Sequence, residues 1–332
     1  MKNQTFGGYL PLELYANDEM YYPDALRYRS ARNALSHLLC IIKPARLWLP
    51  RLICNSVVDA VAASDTDIRW YSLDEHFLPE DCGSFNQQDI FLYVNYFGQC
   101  DEQEARLAAF IPPERTLFDH SQAFYSRRER ALGNLYSPRK FFGVPDGGIL
   151  DTCCHLPAPH NSDNTSHLRC LHLLLQHEQG TSAGYAAFMQ AEETLEEHAP
   201  CSMSALTERM LHSVDYLQVK VQRERNYALM HSMLSDLNGW RFSPHSAEGP
   251  FCYPFLMPGR QLHQALINKN VFVATYWREV LQRVEPDSVE ARFVNNVVPL
   301  PCDQRYSEKD IRQLCERVRT VVEEERKQAC KQ

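Results

Sequence analysis

Lys140 stands before an acidic diglycine turn in the stretch "SPRKFFGVPDGG", which runs through Asp146 to Gly147 and Gly148. A lysine near other cations holds its proton less tightly, and its neutral amine can form a Schiff base with an aldehyde. Adjacent glycines let a backbone approach a neighbouring group closely, and the chain has only 13 glycines in 332 residues. The stretch therefore indicates a lysine kept for covalent chemistry, although a solvated lysine is the alternative for any single position.

Asp119 ends a predicted strand in the stretch "LFDHSQAF", and Gln122 follows three residues later. A carboxylate at a strand end can pair with a protonated heterocyclic nitrogen and keep that nitrogen protonated. This pattern predicts a site for an aromatic ring with a basic nitrogen. A carboxylate that only caps the next helix is the alternative.

Ser30 is a predicted N-cap in the stretch "YRSARNAL". The backbone N–H groups of Ala31, Arg32 and Asn33 would then face outward at the positive end of the helix dipole, where phosphate groups bind. We expect a phosphate cradle here. A serine cap that binds no ligand is the commoner structure and stays the alternative.

Two further segments supply candidate pocket residues. Asn95 and Tyr96 follow a predicted strand in "YVNYFGQC" and could line a pocket, with a place in the core as the alternative. Tyr253, Trp277 and Arg278 lie in the C-terminal part of the chain. Arg278 could bind a carboxylate or a phosphate, or it could pair on the surface with a neighbouring acidic side chain.

The elements that must position these residues alternate between helix and strand from residue 30 to about 150. Apolar residues at helical spacing alternate with short apolar runs that predict buried strands, such as "ARLWLP", "DIRWYSL", "DIFLYVNYF", "RTLFD" and "GGILDT". Such alternation predicts crossover connections and a mostly parallel sheet. Ligands bind at the carboxyl ends of the strands in sheets of this kind.

The rest of the chain predicts long helices and a second domain. Helical patterns cover residues 166–198 and 203–238. Beyond Gly239 the pattern changes to the strands "FCYPFLM" and "VFVATYW", the helix "RQLHQALINKN" and a last helix from Ser307 to about Lys327. We expect a large domain over residues 1–238, which includes the connector helices 166–238, and a small α+β domain over residues 239–332.

Composition excludes several classes of partner. The net charge is -8 and no basic cluster exceeds the three arginines of "SRRER", so we expect no nucleic-acid partner. No run reaches the roughly 18 apolar residues of a spanning helix, and the N-terminus lacks the apolar core of a signal peptide. The expectation is a cytoplasmic protein without a membrane partner.

The twelve cysteines form no Cys-x-x-Cys pair. The cysteines and histidines between residues 153 and 177 match no zinc spacing, so no metal is expected.

Taken in order, these segments resemble the DegT/StrS-type family of sugar aminotransferases, which are pyridoxal phosphate enzymes of fold type I. "YVNYFGQC" is similar to the family's Val-His-Leu-Tyr-Gly-Gln segment, and "DHSQAF" to its Asp-Ala-Ala-Gln-Ala. "KFFGVPDGG" has its lysine, acid and two glycines at the family's offsets, and "VFVATYW" and "VPLPCDQRYSEKDI" match its late segments. The resemblance is collinear from about residue 7 to 325.

The resemblance implies a three-layer α/β/α domain with a small C-terminal domain, and a homodimer with its active site at the subunit interface. Lys140 would be the Schiff-base lysine and would move the proton, Asp119 would hold the ring nitrogen, and Gln122 would hold the ring hydroxyl. The implied catalytic pair is Lys140 and Asp119. The implied cofactor-binding set is Ser30, Ala31, Arg32, Asn33, Cys54, Asp119, Gln122, Ser137 and Lys140.

The sequence departs from the family pattern at the cofactor. Ala31 and Arg32 replace a Gly-Thr pair, and Leu135 replaces a serine, which leaves Ser137 as a substitute. Cys54 falls where the family often has an aromatic residue. Asn95 replaces a histidine, and "APCSMSAL" lacks the asparagine that reaches into the partner's site in the family.

Three functions remain open from the sequence. The first is an aminotransferase that moves an amino group from a donor onto a keto acceptor, such as a nucleotide-linked keto sugar in cell-surface polysaccharide or secondary-metabolite biosynthesis. The second is another pyridoxal phosphate reaction such as dehydration, although the family's sugar dehydratases lack the lysine found at position 140. The third is a structural or regulatory dimer that has lost catalysis.

Overall fold

The computed structural model describes residues 8–10, 12–15, 17, 20–80, 82–240, 248–257 and 262–329. Residues 260 and 261, which begin one predicted helix, lie outside this part of the chain. Residue 7, at which the family resemblance starts, lies outside it as well.

Nine strands of the described chain form one sheet, and two further strands pair with each other. In chain order the strands are β1 (Leu26–Tyr28), β2 (Arg46–Pro50), β3 (Asp67–Tyr71), β4 (Ile90–Val94), β5 (Thr116–Asp119), β6 (Gly133–Tyr136), β7 (Gly148–Thr152), β8 (Asn161–Ser162), β9 (Cys201–Ser202), β10 (Tyr253–Leu256) and β11 (Val297–Leu300). The large sheet has the order β3-β2-β4-β5-β6-β7-β1-β9-β8. Strands β3, β2, β4, β5 and β6 are parallel, whereas β7 is antiparallel to both β6 and β1.

Helices connect most of these strands. They are α1 (Ala31–Ile42), α2 (Asn55–Ala62), α3 (Asp101–Leu107), α4 (Ser166–Arg169), α5 (Leu171–Gln179), α6 (Thr181–Glu193), α7 (Ala205–Leu211), α8 (Tyr216–Leu234), α9 (His263–Asn268), α10 (Val289–Asn296) and α11 (Glu308–Ala329). Within the described ranges, no helix combines the length and the apolar character needed to cross a bilayer.

Burial follows the apolar pattern of the sequence. Strand β4 reads Ile-Phe-Leu-Tyr-Val and is buried at every position, as a strand covered on both faces of its sheet must be. Helix α1 begins at its predicted cap, where the Ser30 side chain accepts from the backbone N–H of Asn33, and it ends at Lys43 in the left-handed conformation. The predicted mixed α/β fold with a mostly parallel sheet is confirmed.

A second core lies in the C-terminal part of the chain. Strands β10 and β11 pair there in antiparallel fashion, and α11 packs beside them with buried Ile311, Val318 and Val322. The second half of α8 contributes Met230 and Leu234 to the same core. The proposed boundary between residues 238 and 239 stays a prediction, since α8 reaches across to this core.

Two predictions of secondary structure are wrong. The stretch "VFVATYW", residues 271–277, contains no strand; β10 takes its partner from β11 instead, and Asn270 and Trp277 at its ends both have a φ of 59°. The helical stretches 166–198 and 203–238 are interrupted. Gly180, with a φ of 87°, separates α5 from α6, and Asp215 starts α8 anew by accepting from the N–H of Gln218.

Candidate active site

A cavity of about 600 Å³ opens where the parallel strands end. Because β1 runs parallel to β6 through their shared neighbour β7, the start of α1 lies at the same edge of the sheet as the ends of β2, β5 and β6. Nine of the residues singled out in the sequence line this cavity: Ser30, Ala31, Arg32, Cys54, Asp119, Gln122, Ser137, Lys140 and Trp277. The sheet therefore brings together segments that are up to 247 positions apart in the sequence, from Ser30 to Trp277.

Asp119 and Gln122 are fixed at the floor of the cavity. Asp119 is 7% exposed, and its Oδ1 accepts from the N–H of Ser121 at 2.9 Å. The Oε1 of Gln122 accepts from the N–H of Phe97 at 3.0 Å. An amide oxygen engaged in this way leaves the NH2 group of Gln122 to donate to a ligand.

Lys140 ends a short 3₁₀ turn, Pro138–Lys140, that follows β6 directly. Its side chain is exposed to the cavity and makes no hydrogen bond or ion pair within the described chain. The turn is held by its own backbone, since the N–H of Lys140 donates to the carbonyl of Ser137 at 3.1 Å. A free amine in a lined cavity is available for covalent chemistry.

The diglycine joins the lysine loop to the phosphate cradle. Gly147 has a φ of 121°, which favours glycine. A Cβ at Gly148 would lie 2.1 Å from the carbonyl carbon of Ser30 and 2.3 Å from the nitrogen of Ala31. The backbone at Gly148 therefore packs against the first residues of α1, and no side chain fits between them.

Asp146 anchors this loop in the interior. Its Oδ2 accepts from Arg169 and from the hydroxyl of Ser166, and its Oδ1 accepts from the hydroxyl of Thr207. Arg169 also pairs with the carboxylate of Asp163. A buried carboxylate with this many donors is fully paired, so the acid of the diglycine turn serves to fix the loop to α4 and α7.

The start of α1 carries the predicted cradle. Ser30 and Arg32 line the cavity, whereas Asn33 is fully buried and turns away to donate to the carbonyls of Glu197 and Ala199 at 2.9 and 2.7 Å. The Nη1 of Arg32 donates to the carbonyl of Leu195 at 2.5 Å. Asn33 thus holds the cradle in place from behind.

Cys54 and Trp277 line the cavity from the other side. Cys54 precedes α2, and its Sγ lies 2.9 Å from the Oγ of Ser56. The Trp277 ring lies 5.5 Å from that of Tyr276, which also lines the cavity. Burial raises the pKa of the Tyr276 hydroxyl, so this residue is a neutral donor at physiological pH.

Four of the candidate substrate residues lie away from the cavity. Tyr96 is fully buried in an aromatic cluster, and its hydroxyl donates to the carbonyl of Leu52 at 2.8 Å. Tyr253 belongs to the second core. Arg278 is exposed and donates only to the hydroxyl of Thr275.

Asn95, the fourth, belongs to a buried polar network behind β5. Its amide donates to Asp101 at 2.7 Å and to Glu104 at 2.9 Å. Glu104 is also paired with His120 at 2.8 Å and with Arg128. Burial alone would raise the pKa of Glu104, but His120 and Arg128 outweigh it and lower that pKa.

No pattern in the sequence indicated that α5 and α6 would cover the cavity. His172, Phe188 and Glu192 of these helices line it, together with Leu195 just beyond α6. The His172 ring lies 5.6 Å from that of Phe188, and burial lowers the pKa of His172, which favours the neutral imidazole. In the sequence, Arg139 stands out only because it precedes Lys140. In the structure it forms an ion pair with Glu192.

No protein-family model and no curated protein matches the chain. Among solved structures, DesI in the presence of its TDP-sugar product has a TM-score of 0.65 at 16% identity, over 92% of this chain and 82% of that chain. NtdA from Bacillus subtilis with bound cofactor PMP has a TM-score of 0.59 at 13% identity, over 90% of this chain and 73% of that chain. For a DegT DnrJ EryC1 StrS aminotransferase from Brucella abortus, the TM-score is 0.56 at 13% identity, over 89% and 85%.

The chain has the fold of these proteins. The family resemblance found in the sequence is thereby confirmed at the level of fold, including the three-layer large domain with its small C-terminal companion. The lining of the cavity suits a phosphorylated pyridine aldehyde, because it offers a carboxylate for the nitrogen, an amide donor, a free amine and a helix start. The Nε of Arg32 is buried there and has no hydrogen-bond partner in the described part of the chain, which leaves a donor for an anion.

Proposed function

We propose that this chain is a pyridoxal phosphate-dependent aminotransferase that passes an amino group to a keto acceptor. The observation that carries the proposal is the convergence of Lys140 and Asp119 in one cavity, with the start of α1 beside them. Three separate strand ends supply these groups, so a merely structural role does not explain why all of them face the same space.

Bound pyridoxal phosphate would supply an aldehyde carbon and an electron-withdrawing ring. Asp119, oriented by the N–H of Ser121, would hold the ring nitrogen in its protonated form. Gln122 would donate to the ring hydroxyl, and Ser30 with Arg32 would bind the phosphate. Ser137 and Cys54 would contact the cofactor from the sides of the cavity.

Lys140 would act twice. Its Nζ would be the group that holds the cofactor covalently, and the same Nζ would be the base that takes or returns a proton at the reacting carbon of the substrate. The exposed position of Lys140 in the cavity gives the amine room for both states.

The acceptor that we propose is a keto sugar linked to a nucleotide. The TDP-sugar product named with DesI supports this class, because the two chains share a fold over 92% of this chain. Aromatic rings at Phe188, Tyr276 and Trp277 line the cavity and would stack on a sugar or a base.

We further propose a homodimer in the cytoplasm. Apolar side chains on α4 to α6 support the dimer: Leu168 is 70% exposed and Leu174 is 62% exposed, and such patches mark interfaces. Ten cysteines within the described ranges, all but Cys82, are free thiols, which suits a reducing compartment.

The test is to incubate the purified protein with pyridoxal phosphate and to record the absorbance of the lysine-bound cofactor. We expect this absorbance in the wild type and in the control variant Lys309→Ala, which changes an exposed lysine on α11, whereas Lys140→Ala should abolish it. Glutamate should then convert the bound cofactor to its amine form. A protein that binds cofactor but fails this conversion is a pyridoxal phosphate enzyme of another reaction type, and one that never shows the absorbance is a structural dimer.

A further inference from the structure

Two cavity-lining arginines are held by the end of α6. The Nη1 of Arg32 donates to the carbonyl of Leu195 at 2.5 Å, and Arg139 pairs with the carboxylate of Glu192. All four residues line the cavity. We call residues 192–197 the strap, because they cross the first turn of α1 and occupy both guanidinium groups.

The strap is attached to α1 at a second point outside the cavity. Arg29 is 8% exposed and pairs with Glu197 at 2.9 Å, and Asn33 donates to the carbonyl of Glu197 at 2.9 Å. This attachment, made by the buried Arg29 and Asn33 to the exposed Glu197, can keep the strap in place when the contacts in the cavity change.

The contacts in the cavity are incompletely satisfied. The Oε1 of Glu192 and the Nε of Arg32 are both buried and have no hydrogen-bond partner among the residues that the structure describes. Unpaired buried polar atoms are costly, so an arrangement that pairs them is favoured. A phosphate group offers three acceptor oxygens to the two guanidinium groups. In the structure, the acceptors of these groups are one carboxylate oxygen of Glu192 and the carbonyl oxygen of Leu195.

The charges around the cavity leave no surplus for a dianion. Three cations line it, namely Arg32, Arg139 and Lys140, and so do three carboxylates, namely Asp119, Glu192 and Glu279. A phosphate monoester carries about -1.5 to -2 charges at neutral pH. Its binding is therefore favoured if the Glu192 carboxylate gives up Arg139 and moves away.

We propose that Arg32 and Arg139 form a two-arginine clamp for a phosphate group, and that Glu192 and the Leu195 carbonyl occupy this clamp until the phosphate arrives. The inference rests on the proposed function and adds Arg139 as a binding residue and Glu192 as its competitor. The phosphate can belong to the cofactor or to the nucleotide of the substrate, since both carry negatively charged phosphoryl oxygens that accept hydrogen bonds from guanidinium groups.

The exchange has a direction set by charge. A dianion attracts two guanidinium groups more strongly than a single carboxylate and a carbonyl do, and bidentate contacts add to the preference. Glu192, left without its arginine, is then repelled by the phosphate. The last turn of α6 moves, while Glu197 keeps its contacts to α1.

The experiment measures dissociation constants by calorimetry. Pyridoxal phosphate, pyridoxal and inorganic phosphate are titrated into the protein without cofactor, and uridine diphosphate is titrated into the protein loaded with cofactor. Glu192→Gln removes the competing charge, and the control Glu193→Gln removes an exposed charge at the next position. We expect Glu192→Gln to bind phosphate-bearing ligands about threefold to tenfold more tightly, as removal of one half-exposed carboxylate allows. Pyridoxal binding should stay unchanged, as should every affinity of Glu193→Gln.

A second variant tests the clamp from the other side. Arg139→Gln should weaken phosphate binding by about tenfold or more, and Arg139→Lys should restore part of the loss. Hydrogen exchange at residues 189–195 should rise when phosphate binds to the wild type. A shift confined to pyridoxal phosphate assigns the clamp to the cofactor, and a shift confined to uridine diphosphate assigns it to the substrate; both support the clamp.

The clamp is refuted if Glu192→Gln changes every phosphate affinity by less than about twofold, or if Arg139→Gln binds as the wild type does. Inorganic phosphate separates this result from the proposed function. A wild type that binds phosphate through Arg139 but never shows the lysine-bound absorbance refutes the aminotransferase and keeps the clamp. A wild type that transaminates while Glu192→Gln is indistinguishable from it refutes the clamp alone.

Discussion

Gly148→Ala tests whether the diglycine turn and the cradle are in direct contact. The new Cβ would lie 2.1 Å from the carbonyl carbon of Ser30 and 2.3 Å from its oxygen, whereas carbon atoms in ordinary contact are about 3.5–4.0 Å apart. The backbones must separate by about 1 Å or more to relieve this overlap. Gly148 also pairs with Tyr28 in the sheet, so the shift disturbs the β1–β7 ladder.

Two neighbouring glycines give matched controls of graded severity. Gly147→Ala meets no atom closer than 3.4 Å but has a φ of 121°, so it should cost about 1–3 kcal/mol through backbone strain. Gly143→Ala meets nothing within 4 Å and should stay within about 0.5 kcal/mol of the wild type. Gly148→Ala should cost about 3 kcal/mol or more, because only backbone can yield.

The assay is urea unfolding without ligand, followed by titration with pyridoxal phosphate. We expect the unfolding free energies to fall in the order Gly143→Ala, Gly147→Ala, Gly148→Ala, and the last variant to bind the cofactor most weakly because Ser30 is displaced. If Gly148→Ala unfolds within about 1 kcal/mol of Gly143→Ala, the close contact with α1 does not exist.

Two further predictions concern buried charges. Glu104→Gln should destabilise the protein by about 3–5 kcal/mol, because His120 and Arg128 lose their buried partner; urea unfolding checks this. The folded protein lowers the pKa of Glu104. The contribution of Glu104 to the free energy of unfolding is therefore present above the pKa that this carboxyl has in the unfolded chain, and it is lost as the pH falls through the pKa in the folded protein. The difference in unfolding free energy between variant and wild type should accordingly narrow in acid. Arg223→Met should cost about 3 kcal/mol or more in thermal and urea unfolding, because the carbonyls of Pro250 and Phe251 and the Oε1 of Gln304 lose the guanidinium donor; a loss below about 1 kcal/mol would contradict this reason.

The sequence was sufficient for the residues whose position follows from one strand or one helix. Asp119 and Ser30 lie where a strand end and a helix cap placed them. Short strands with weak propensity escaped prediction: β6 reads Gly-Asn-Leu-Tyr and β1 has three residues. Their strand conformation depends on neighbours in the sheet, and a pattern of three or four residues does not show this.

The tertiary contacts of the cavity were beyond the sequence. "VFVATYW" has the composition of a strand, but among the described strands β10 pairs with β11 alone. Glu192 and His172 lie on helices whose pattern indicated packing alone, and only the fold of α5 and α6 over the sheet brings them to the cavity. Roles for the individual site residues stay predictions until the variants are measured.

The position of β1 has a consequence for how the chain folds during synthesis. Among the described strands, this strand, residues 26–28, pairs with β7 and β9 alone, which end at residues 152 and 202. It therefore leaves the ribosome early, and about 170 further residues must be translated before both of its partner strands have been synthesised. Because the Ser30 cap comes two residues after the end of β1, the start of α1 reaches its final place beside Gly148 only after β7 has been made.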